Sequence, residues 1–151
     1  MAALTQSNKW RQQRVIPKYK PVNFSPLGHA RRLGRFRQIF PLTLFPDDLV
    51  IEEQRVVWVL NKGPWIKEMI STMAADIASI DSSTGPFMGH IHIRSLTGGP
   101  EIIIDKLPKN DVLKARFLIE GIVLSARRGD NLADSSLGVV REYLIANGTI
   151  N

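Results

Sequence analysis

The chain has 151 residues, 44% hydrophobic and 23% charged, which suits one ordinary globular domain with tails. It has no cysteine, so disulfides, thiolate nucleophiles and thiolate metal sites are excluded together, and its formal net charge is +6. The longest apolar run, from Val56 to Leu60, ends at Asn61 and Lys62, far short of the roughly 20 residues of a membrane-spanning helix. With no secretory leader after Met1, the expected location is cytoplasmic.

Residues 1 to 40 read as a basic arm. Lys9, Arg11, Arg14, Lys18, Lys20, Arg31, Arg32, Arg35 and Arg37 supply nine of the 20 cations, and residues 1 to 38 hold no carboxylate. The rest of the chain has 11 cations against all 14 acids, so the basic character belongs to the arm. Pro17, Pro21 and Pro26, with Gly28 and Gly34, interrupt any period, which predicts a disordered or extended segment. Residues 10 to 19 and 30 to 40 are two stretches that a surface would order. In the second, Leu33, Phe36, Ile39 and Phe40 are spaced like one face of a short helix, which Pro41 stops. A competing reading docks the arm's apolar residues back on the domain, with residues 39 to 45 as an extra edge segment.

From Leu42 the apolar residues turn β-branched, in short runs divided by turn residues. Residues 49 to 60 predict one bent strand or a pair, with Glu52, Glu53 and Gln54 as the exposed middle and Val56 to Leu60 buried. Asn61-Lys62-Gly63-Pro64 predicts a turn, Trp65 opens the return strand, and another strand covers residues 77 to 84 after an Asp76 turn. Gly85 to Gly89 breaks the chain before residues 90 to 96, and Thr97-Gly98-Gly99-Pro100 predicts a hairpin turn into residues 101 to 105. Six strands are expected in all.

The period then changes. Val112, Ala115, Ile119, Ile122 and Ala126 recur at helical spacing, widened by Leu113, Leu118 and Val123. Asn110 is the expected N-cap, Arg127 and Arg128 sit where the helix dipole favours cations, and Gly129 follows at the stop position. A polar link, residues 130 to 136, leads to a short helix over residues 137 to 146.

Strands followed by one amphipathic helix predict a curled sheet closed by that helix. Residues 55 to 126 narrow the fold: the phrases are Asn61-Lys62-Gly63-Pro64-Trp65, Asp76-Ile77-Ala78-Ser79-Ile80, Ser83-Thr84-Gly85-Pro86-Phe87-Met88-Gly89 and the Thr97-Gly98-Gly99 turn. Their order resembles the bacterial pleckstrin-homology-like domains. The resemblance implies a mainly β fold, a partly open barrel of curled antiparallel sheet capped by a C-terminal amphipathic helix. The division it implies is an arm over residues 1–40, a barrel with its helix over 41–129, and a link with a short helix over 130–151. Lipid-headgroup recognition is not carried over, because the turn that bears the basic cluster in eukaryotic relatives offers only Lys62 here, beside Glu52 and Glu53.

No catalytic constellation stands out. His90 and His92 share one face of a strand but lack a third ligand nearby in sequence, and a solvated strand face accounts for them. Asp47-Asp48 and Glu52-Glu53 are adjacent, so each pair points to opposite strand faces and reads as solubilising. Thr97-Gly98-Gly99-Pro100 lacks the lysine and the following helix of a phosphate loop, and no serine sits in a nucleophile elbow. No cofactor, metal or small-molecule substrate is expected. The expectation is a non-enzymatic binding or scaffolding module with a protein partner. Its nine arm cations would hold it to an anionic membrane surface, peripherally at the inner face. The alternative is nucleic-acid binding by the same arm, whose cations are interleaved with Trp10, Tyr19, Phe24 and Phe36.

Overall fold

The computed structural model describes residues 31–130 and 136–149; residues 1–30 of the arm and 131–135 of the link lie outside the described residues. Strands β1 (Arg32–Arg37), β2 (Asp48–Glu52), β3 (Arg55–Asn61) and β4 (Lys67–Met73) form one antiparallel sheet in sequence order. A 3-10 turn, Ala74–Asp76, leads to β5 (Ile77–Thr84), β6 (Met88–Ser95) and β7 (Ile102–Pro108), a second antiparallel sheet. Helices α1 (Lys109–Arg128) and α2 (Leu137–Thr149) follow.

Alternation sets the inner faces. Leu49 and Ile51, Ile91 and Ile93, and Ile102 and Ile104 are fully buried, while Ile103 between the last pair is half exposed. The two sheets do not close into a barrel; α1 fills the space between them with Val112, Ala115, Leu118, Ile119 and Ile122, all buried, whereas Leu113 and Ala126, expected in the same stripe, are exposed. Full burial stabilises each large aliphatic side chain by about 1.5–3 kcal/mol, so this stripe holds the helix more firmly than its intrinsic propensity does.

Residues 30 to 40 do not form a helix face. Leu33 and Phe36 both reach the core because the register with β2 slips between Arg32 and Gly34, a β-bulge that resets the alternation. The described residues thus include a seventh strand, β1, which lies inside the segment read as arm. Asp48 and Glu52, read as solubilising and exposed, are buried on β2, each held by an arginine from a neighbouring strand. Trp65 lies in the β3–β4 turn, which Lys62 N–H closes by donating to the Ile66 carbonyl at 3.0 Å.

Asn110 does not cap α1. Pro108 precedes the first turn without a side-chain cap, and Lys109 N–H donates to the Phe87 carbonyl at 3.1 Å, so a neighbouring turn satisfies one donor of the helix start. At the other end Gly129 adopts φ 73° and donates to the Ser125 carbonyl, the stop the sequence predicts. Helix α2 runs past residue 146 to Thr149 and lies directly on α1. A Cβ on Gly121 would sit 2.2 Å from the Leu144 carbonyl oxygen, and one on Gly148 2.2 Å from that of Phe117.

Candidate functional site

The cations at the start of the body are partly committed. Arg35 makes a bidentate contact with Asp48, Nε to Oδ1 at 3.1 Å and Nη2 to Oδ2 at 2.8 Å. Hydrogen bonding to Asp48, reinforced by its charge, raises the Arg35 pKa further above its ordinary value. Arg37 lies 3.7 Å from the same carboxylate, and Arg31 pairs with Glu53. Arg32 is exposed, opposite Glu52 in the β1–β2 register. Of the nine expected surface-binding cations, Arg31, Arg35 and Arg37 therefore join ion pairs of the body. Lys9, Arg11, Arg14, Lys18 and Lys20 lie outside the described residues.

Within each sheet antiparallel succession alternates the ends of the connections. Between the sheets, the hydrogen bonds of Ile39 N–H to the Lys106 carbonyl and Lys109 N–H to the Phe87 carbonyl bring the β1–β2 loop base and the β5–β6 turn to a first end, and that of Leu96 N–H to the Asp76 carbonyl joins the connections after β4 and β6 at a second. At the second end Asp76 is a hub. Its carboxylate accepts from Ser95 Oγ at 2.6 Å, Thr97 Oγ1 at 3.1 Å and Thr97 N–H at 3.2 Å, and its carbonyl accepts from Leu96 N–H at 2.8 Å. The Ser95 hydrogen bond above all, with the two from Thr97, holds the Asp76 pKa below the ordinary aspartate value. On β6, His92 Nε2 lies 2.7 Å from Glu101, while His90 is exposed. Among the described residues no three histidines or carboxylates converge as a metal site.

Two grooves flank α1. One, of about 170 Å³, runs between β5 and α1, lined by Ile77, Ile80, Val123 and Leu124 with Glu120 and Arg127. Arg127 Nη2, on its lining, donates to the Ile77 carbonyl at 3.3 Å, and elsewhere between α1 and β5 Arg116 Nη1 donates to Ser82 Oγ at 3.2 Å. The other, of about 380 Å³, lies between β1 and the two helices, with an apolar floor of Leu33, Phe36, Leu118 and Ile145 and a rim of Arg35, Lys114 and Arg141.

The first end carries the least expected surface. The β1–β2 loop exposes Phe40 (68%) and Leu44 (75%), the β3–β4 turn Trp65 (90%) and the β5–β6 turn Phe87 (82%); Leu42, Phe45 and Ile66 add further apolar area. Hydrogen bonds fix the loop bases together. Gln38 is 8% exposed; its backbone N–H donates to the Asp47 carbonyl, its side-chain oxygen accepts from Asp47 N–H at 2.9 Å, and its Nε2 donates to Asp105 at 2.8 Å. Asn61 N–H donates to Asp47 Oδ1 at 2.7 Å, joining the β3–β4 turn to the same base. Ile39 N–H donates to the Lys106 carbonyl at 2.9 Å, where Lys106 takes a left-handed backbone with φ 53°.

Sequence reasoning missed this end. The available signal was its composition: phenylalanines and leucines set among Pro41 and Pro46, and Phe87 inside a glycine-flanked turn, are large apolar residues in segments whose turn chemistry keeps them from periodic burial. The sequence matches no protein-family model and no curated protein. Among the described residues no helix is long and apolar enough to cross a membrane.

Proposed function

We propose that the chain is a non-enzymatic binding module of pleckstrin-homology-like type that engages a protein partner and attaches through its basic arm to an anionic membrane surface. The four-plus-three arrangement of antiparallel strands, with a C-terminal helix filling the space between the sheets, supports the family reading. The groove between β5 and α1 is the place for the partner, because an extended segment there meets a strand edge and an apolar helix flank together.

The observation that carries the surface attachment is the partition of the cations. In the body Arg31 pairs with Glu53 and Arg35 and Arg37 share Asp48, whereas Lys9, Arg11, Arg14, Lys18 and Lys20 belong to a stretch of sequence that holds no acid. An anionic bilayer attracts such a segment by about 1 kcal/mol per cation near its surface. The aromatic residues among these cations also suit stacking on bases, which keeps nucleic acid as the second reading.

The test replaces those five cations by glutamine in the full chain. Cosedimentation with phosphatidylcholine vesicles, with and without phosphatidylserine, is run beside titrations with mixed-sequence RNA and DNA at two salt concentrations. The expected result is binding to the anionic vesicles that the variant loses; undiminished binding by the variant rejects the arm. Salt-steep binding to nucleic acid with none to vesicles transfers the arm to the second reading.

A further inference from the structure

We infer that the groove between β1, α1 and α2 docks an acidic, extended segment of a partner protein, which joins the sheet as a strand beside β1. The site is separate from the β5–α1 groove and from the arm, and it depends on neither. Strand β1 is an edge of its sheet, and among the described residues its backbone pairs only with β2. Its other side therefore offers N–H and C=O groups to a further strand. The groove of about 380 Å³ takes four consecutive residues of β1 into its lining, Leu33 to Phe36, and none of β2, which places it along that unpaired edge. A strand laid there keeps a period of two. Alternate side chains then reach the apolar backing of Leu118 and Ile145, and the others share the face of Arg35 and Arg37.

Charge identifies the occupant. The lining holds Arg35, Lys114 and Arg141 and no carboxylate. Arg35 and Arg37 share the one carboxylate of Asp48, and each keeps about half of its side-chain surface exposed. Arg31 with Glu53 and Arg55 with Glu52 cancel in pairs. The other charged neighbours are Arg32, Asp111 and Glu142, so Arg32, Arg35, Arg37, Lys114 and Arg141 outnumber Asp48, Asp111 and Glu142. Asp111 sits in the first turn of α1, where the helix dipole offsets it. Glu142 lies midway in sequence between the buried Val140 and Leu144, which pack toward α1, so it points from the opposite side of α2. The chain itself supplies no match. Residues 1–30 carry Lys9, Arg11, Arg14, Lys18 and Lys20 without an acid, and two copies of β1 laid edge to edge would set arginine against arginine. An acidic extended segment of another protein satisfies the backbone row and the cations together.

The test titrates the full chain, by fluorescence anisotropy at two salt concentrations, with labelled peptides that alternate valine with glutamate or valine with lysine. The expected result is salt-sensitive binding of the acidic peptide and none of the basic one. Lys114→Glu combined with Arg141→Glu should weaken that binding by about tenfold. Both side chains are exposed and neither joins an ion pair among the described residues, so the thermal transition should hardly move. An acidic peptide methylated on the backbone nitrogens of its β1-facing edge should not bind, because strand addition uses those N–H groups; binding as tight as that of the parent peptide overturns the added strand. Undiminished binding by the double variant overturns the groove, as do equal binding of the acidic and basic peptides and no binding of the acidic one. Loss of peptide binding when the five arm cations become glutamine assigns the peptide to the arm and likewise overturns the groove. Retained binding by that arm variant supports the groove whatever the vesicles show, so the two readings fail separately.

Discussion

The Asp76 carboxylate joins the turn between the two sheets to the end of β6, and its chemistry predicts a pH signature. Its folded pKa lies below the ordinary 3.8, so its contribution to stability is fully present above that value and is lost as pH falls through the lower, folded value. Asp76→Asn should therefore melt below the unaltered protein at neutral pH, because the amide offers Ser95 and Thr97 a weaker acceptor. The difference should shrink once the pH is well under the ordinary aspartate range. Thermal unfolding of both proteins at a neutral and a strongly acidic pH checks this, and a gap that persists in acid would contradict it. Arg35 shows the other side of residue-scale chemistry. Its partner Asp48 is 5% exposed, so this arginine serves the interior even though its own side chain is half exposed.

Elements were legible in proportion to how regular their periods are. Strand β5 and the end of α1 at Gly129 lie where the turn and stop signals put them, since Asp76 and a left-handed glycine are local instructions. Strand β1 was not legible, because Leu33 and Phe36 three residues apart fit a helix turn and a bulged strand alike, and only pairing with β2 separates the two. The contact between α1 and α2 likewise depends on tertiary approach, at Gly121. Gly121→Ala would gain about 1 kcal/mol of helix propensity but place a methyl group 2.2 Å from the Leu144 carbonyl oxygen. Overpacking a well-packed site typically costs about 1–3 kcal/mol, so after the propensity gain the variant should be less stable by up to about 2 kcal/mol, with faster amide exchange in α2. Denaturant unfolding and hydrogen exchange measure the two effects; a more stable variant would mean that α2 shifts freely.

At the scale of the whole molecule the consequence concerns where the body starts. Removing residues 1–30 leaves β1 and its core residues Leu33 and Phe36 in place, so that fragment keeps every described element and should unfold cooperatively. Removing residues 1–38 takes away an edge strand, two core side chains and the Gln38 latch. Each lost large side chain costs about 2–5 kcal/mol, comparable with the stability of a whole domain, so the shorter fragment should not fold cooperatively. Circular dichroism melts of the two fragments decide between this boundary and one after residue 40.

The sequence by itself determined the β-rich class, the buried stripe of α1, the absence of cysteine chemistry and the concentration of cations before Asp47, because periodicity, composition and charge are properties of the chain. The tertiary structure decided which cations are neutralised, which carboxylates are buried and which loops share an end. These depend on register and on contacts between residues far apart in the chain, such as Gln38 with Asp105, and local patterns do not encode such distances. The exposed loop end belongs to the second group, since an apolar residue in a turn becomes a surface only once the fold has placed its neighbours.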